Sequence, residues 1–122
     1  MEMPLPEVLD RLAIVRLKME RIGESHLKQE YDDLQKAIQE FCERGITIEQ
    51  EWIDSLYRIN GEIWDLEFDL RKGKEQELGL AEVGRRALLI REKNKQRISI
   101  KNSIVKQTGL GYQDVKMNHA SA

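Results

Sequence analysis

Apolar residues recur at helical spacing in three long stretches of the chain. Leu5, Val8, Leu12, Val15, Met19 and Ile22 follow one another at steps of three and four, the mark of a single buried helix face. Leu27, Tyr31, Leu34, Ile38 and Phe41 repeat the pattern, as do Trp52, Leu56, Ile59, Ile63, Leu66 and Leu70. The punctuation agrees with it. Pro6 suits the first position of a helix running to about Ile22, and Gly23 ends it. Ser25 is the expected N-cap of a second helix from about His26 to Arg44, stopped by Gly45. Thr47 and Gln50 make a Thr-x-x-Gln capping box for a third, which ends near Lys72, before Gly73. A fourth helix runs from about Leu80 to Thr108 and stops at Gly109.

The fourth helix breaks the pattern. Its stripe would be Val83, Ala87, Ile90, Asn94, Arg97, Lys101 and Ile104, apolar at both ends and polar in the middle. A buried charge without a partner is costly, so these groups must be paired, face a cavity or hold a ligand. The third helix offers a matching anomaly. Asn60, Trp64, Glu67 and Arg71 run at helical spacing beside its apolar stripe. If the chain reverses near Gln76, Glu67 and Asp65 come opposite Arg85 and Arg86, and Asn60 falls near Arg91 and Asn94.

Short connections favour antiparallel neighbours. The expected fold is therefore all-α, an antiparallel four-helix bundle over residues 1–109, with an extended C-terminal tail at 110–122 that docks through Tyr112, Val115 and Met117 or stays in solvent. The narrow heptad stripes suit helices packed across a dimer interface.

Composition narrows the possibilities. The chain has 122 residues, 34% of them charged and 6% aromatic, with prolines only at Pro4 and Pro6, which suits one domain of long helices with charged faces. The net charge of −2 supplies no global pull toward nucleic acid or a membrane surface. It hides an asymmetry. Residues 48–72 carry seven acids and three bases, whereas residues 85–106 carry eight bases and one acid. Such segments tend to pair with each other. A groove-reading helix sits in a net-basic domain, so nucleic-acid binding is not expected. No apolar run approaches a membrane span, and the opening residues lead us to expect no signal peptide. The lone Cys42 excludes an intrachain disulfide and a cysteine-rich zinc site, and fits a cytoplasmic protein. Cys42 beside the apolar stripe is expected to be a small buried hydrophobe. His26 is expected on the surface, and His119 in the tail.

Two accounts of Asn60, Trp64, Glu67, Arg71, Asn94, Arg97 and Lys101 stand side by side. In one they form a satisfied polar network that fixes helix register. In the other they line a cleft for an anionic small molecule, with Arg97 and Lys101 as phosphate or carboxylate clamps and Trp64 as a stacking wall.

The same residues carry a resemblance. The run from Asp10 to Ile22 resembles the opening helix of a family of small bacterial helical proteins without an assigned function. Asn60-Gly61-Glu62-Ile63-Trp64-Asp65-Leu66-Glu67, with Arg71, looks like that family's Asn-Gly-x-x-Trp-Asp-x-Glu signature. Asn94, Arg97 and Lys101 look like its closing pattern. Arg16 and Lys95 depart from it, standing where acids are usual. The resemblance implies the helical fold and no activity.

An enzymatic alternative rests on carboxylates. All-helical nucleotide pyrophosphohydrolases of the MazG-like kind hold Mg²⁺ on two acidic pairs from neighbouring helices. Glu30 with Asp33, and Glu62 with Asp65, have the spacing that puts each pair on one helix face. With a turn near Ile46 the pairs would face each other. The simpler expectation is an interaction or ligand-binding module that forms a homo-oligomer, needs no cofactor, and meets an anionic small molecule or a protein partner.

Overall fold

The computed structural model describes residues 3–71 and 75–110, the side chains of Arg71 and Glu75 excepted. The described residues form five helices and no strand: α1 (Leu5–Arg21), α2 (His26–Glu43), α3 (Gln50–Arg71), the single turn α4 (Glu75–Leu78) and α5 (Leu80–Thr108). No described helix is long and apolar enough to cross a membrane. The tail expected at 110–122, with Tyr112, Val115, Met117 and His119, and the stop at Gly73 lie outside the described residues, Leu110 excepted.

α1 is the centre of the molecule. It packs against α2, α3 and α5. Besides Leu5, Val8, Leu12 and Val15 it buries Leu9, Ala13 and Leu17, so it is apolar on more than one face. That is the composition of a helix surrounded by others rather than lying on a surface. The one-sided stripe expected for α1 is therefore too narrow, and its last member, Ile22, is 52% exposed. α2 lies on α1 through a single seam. Leu27, Leu34 and Phe41, seven residues apart, are its buried side chains.

α5 runs antiparallel to α3, as the ion pairs between them show. Arg86 meets Asp69 at 3.3 Å and Lys93 meets Glu62 at 2.6 Å. This register is about one turn from the expected one. Arg85 bonds Glu82 on its own helix, and Asp65 is taken by Arg21 of α1 at 2.6 Å. The extra turn α4 lengthens the connection and shifts the reversal. α5 is antiparallel to α1 as well, through Lys101 to Glu7 and Arg97 to Asp10.

Caps follow glycine better than side chains. Gly23, Gly45 and Gly109 end their helices at positive φ, the conformation glycine adopts without steric cost. Neither expected side-chain cap forms. Ser25 is already helical and makes no capping bond. Gln50 donates to Asp54 one turn ahead instead of reaching back toward Thr47. Both sites are exposed, so water can satisfy the first amides that these side chains leave open. Cys42 is exposed, not buried: it lies off the Leu27–Leu34–Phe41 seam.

Candidate functional site

Asp10 is the pivot of the polar interior. It sits in the middle of α1, 3% exposed, among Leu9, Leu12 and Ala13. A carboxylate there must be answered. Arg97 of α5 answers it with two arms: Nε lies 3.0 Å from Oδ1, and Nη2 lies 2.5 Å from Oδ2. Asn60 of α3 donates its amide to Asp10 Oδ1 at 2.9 Å and to the Leu56 carbonyl at 2.8 Å. Lys101 stands 3.9 Å from Asp10 and makes its close contact, 2.7 Å, with Glu7. One acid thus ties three helices. Its hydrogen bonds push the Arg97 guanidinium pKa above its ordinary value, against the opposing effect of burial, so Arg97 is a fixed cation. No buried side-chain nitrogen or oxygen among the described residues lacks a partner.

Beside this network a cleft of about 380 Å³ opens between α1, α3 and α5. Ile14, Leu17 and Ile63 supply apolar surface, and Trp64 a flat wall. Asn60, Glu67, Asn94, Arg97 and Lys18 supply the polar groups. The Arg21 guanidinium stands 5.7 Å from the Trp64 ring centroid while bonding Asp65, which holds the indole from the side of α1. Asn94 accepts a long 3.5 Å bond from Arg97. Gly61 is buried where α3 crosses α1; a Cβ there would meet Leu17 at 3.6 Å and Arg21 at 3.8 Å.

No family model, curated protein or solved structure matches the chain. What the site can do must therefore be argued from its geometry.

Five of the residues singled out by spacing, namely Asn60, Trp64, Glu67, Asn94 and Arg97, share this cleft. Lys101 does not line it, being drawn to Glu7. The side chain of Arg71 lies outside what is described. Asp10 was not among the expected site residues. A signal for it exists in the sequence: Pro6, Ala13, Ile14 and Leu17 surround it at helical spacing, so it is an acid on an apolar face.

The four carboxylates of the metal alternative are not brought together. α2 packs on α1 rather than on α3, so the acidic pairs do not face each other. Glu30 bonds Arg11 at 2.7 Å, Asp33 accepts from Gln29, Glu62 pairs with Lys93 and Asp65 with Arg21. Among the described residues no group of three or more His, Cys, Asp or Glu is placed to hold a metal ion.

Proposed function

We propose that this chain is a binding module whose α1–α3–α5 cleft receives a small organic anion, and that its four long helices form a bundle that pairs with a second copy in the cytoplasm. The observation that carries the binding reading is the cleft itself. An open space of about 380 Å³ combines apolar surface, one indole wall and convergent polar groups, which is the composition of a small-molecule site. A register-fixing network needs Asp10, Arg97 and Asn60 bonded to one another. It does not need a half-exposed tryptophan beside an open space. The two accounts of these residues are thus complementary: the network holds the wall of the cleft. On this reading the residues resembling the Asn-Gly-x-x-Trp-Asp-x-Glu signature are the ones that build the site, and the chain is a member of that helical family.

The test is a thermal-shift screen of the protein against organic carboxylates, sugar phosphates and nucleotides, with and without Mg²⁺. A ligand of the cleft raises Tm in the natural protein and has no effect on Trp64→Ala, a half-exposed position whose truncation spares the core. If no compound raises Tm, or Trp64→Ala responds as the natural protein does, the cleft is not the site.

A second copy is supported by what one chain leaves uncovered. Within α5, only Ile104 is buried among the described residues, while Leu80 is 88% and Leu88 61% exposed, and Phe68 of α3 is 47% exposed. A two-fold axis that sets this α3–α5 face against its own copy would cover these side chains.

A further inference from the structure

The polar groups of the cleft are unequally available. Arg97 looks like the anion clamp, yet its Nε and Nη2 are spent on Asp10 and its Nη1 points to Asn94. Lys101, the other cation singled out by spacing, is engaged by Glu7. A ligand carboxylate on the Nε edge of Arg97 would have to displace Asp10, whose charge would then be stranded in the core, so only the outer Nη hydrogens of Arg97 are left to it. Lys18 differs from both. It comes from α1, lines the cleft, is half-buried, and its ammonium has no bonded partner among the described residues. Asn94 also keeps capacity in hand: its carbonyl takes the bond from Arg97, and its amide N–H groups have no acceptor among the described residues.

We infer that the cleft takes a planar aromatic monocarboxylate, with its ring laid on Trp64 and its carboxylate held by Lys18 with the Asn94 amide as second donor. This rests on the cleft being the binding site. The ring follows from the flat indole and the apolar surface of Ile14, Leu17 and Ile63, since stacked aromatic pairs gain beyond the area they bury. The single charge follows from the count of cations. Among the described residues that line the cleft, Lys18 supplies an ammonium without a bonded partner, and one ammonium matches one carboxylate. A nucleoside triphosphate would bring several charges to a cleft whose described lining holds one uncommitted ammonium. The Asp10–Arg97 pair is then a positioning element that holds α1 against α5, and Lys18 is the binding residue.

The experiment is a titration of the full chain followed by the two indole N–H resonances in proton–nitrogen NMR spectra, assigned with Trp64→Phe. The probes are indole-3-carboxylate, neutral indole, acetate and ATP. Indole-3-carboxylate is expected to shift the Trp64 signal and leave Trp52, at the core of α3, in place. Lys18→Gln is expected to weaken that binding about tenfold or more, as loss of a charged hydrogen bond does, with the affinity for neutral indole unchanged. Lys18→Arg is expected to restore it. Among the described residues Lys18 has no ion pair to lose, so the variants are expected to fold, which the unchanged spread of backbone signals will report. Equal binding by Lys18→Gln, or tighter binding of ATP or acetate than of indole-3-carboxylate, would overturn the assignment while leaving the cleft a binding site. Silence of Trp64 toward all four probes, together with a negative thermal-shift screen, would remove the site itself.

Discussion

At the scale of single residues, Arg97 and Lys18 are both cations on the cleft, yet substitution should separate them. Arg97→Ala leaves the buried Asp10 with one amide from Asn60 and a lysine 3.9 Å away. Breaking a buried pair from one side costs about 3–5 kcal/mol, which for a domain of this size lowers Tm by roughly 10 °C or more. Scanning calorimetry checks it, and a change of only one or two degrees would mean that the pair is not holding the helices. Replacing both members with apolar residues should cost far less than the two single losses together, because the stranded charge is gone. The polar middle of α5 was legible in the sequence because three polar residues interrupt an apolar stripe. Asp10 is harder to read: Pro6, Ala13, Ile14 and Leu17 mark it as an acid on an apolar face, but the longer stripe of α1 runs along another face and makes an acid off it look solvated. Only the packing of three helices around α1 reveals that nearly every side of it is interior.

At the scale of helices, the four long elements were legible from periodicity and glycine stops, since both are local properties. Register was not, because it depends on the length of the connection, and the turn α4 has no stripe of its own to announce it. The Gly61 contact illustrates how near the helices lie. A Cβ at this position would make ordinary contacts with Leu17 and Arg21, and the backbone is helical, so alanine fits. Gly61→Ala should therefore raise stability by about 0.5–1 kcal/mol through helix propensity and a less flexible unfolded chain; a denaturant midpoint that falls would show that α1 and α3 have no room to spare. The start of α5 makes a separate prediction with pH. Hydrogen bonds from Arg85 and Arg86 draw the Glu82 pKa from 4.5 down to about 2. The folded-state value lies below the unfolded one, so the stabilisation is fully present above about pH 4.5 and disappears as pH falls toward 2. Amide exchange in the first turn of α5 should accelerate through that window, and Glu82→Gln should be weaker at neutral pH and insensitive to it. Equal pH dependence in both proteins would place the titrating group elsewhere.

At the scale of the whole molecule, the unequal burial of the helices matters most. α1 is enclosed, whereas α5, 29 residues long, buries little against its own chain. Surface leucines taken singly are ordinary, but Leu80, Leu88 and Phe68 lie on the α3–α5 hairpin, away from the end where α5 buries Ile104. Covering them with a second copy, as proposed above, would take that apolar surface out of water. Light scattering after size exclusion should then give twice the chain mass of 14.3 kDa. Leu88→Glu should return the protein to a single chain, with its helical circular dichroism kept and its Tm lowered, since α5 loses the cover that the partner supplied. Leu88 lies in a stretch of α5 that does not line the cleft, so the variant should still bind whatever the natural protein binds. A natural protein that runs as a single chain at high micromolar concentration would sink the dimer and leave the cleft, built within one chain, untouched.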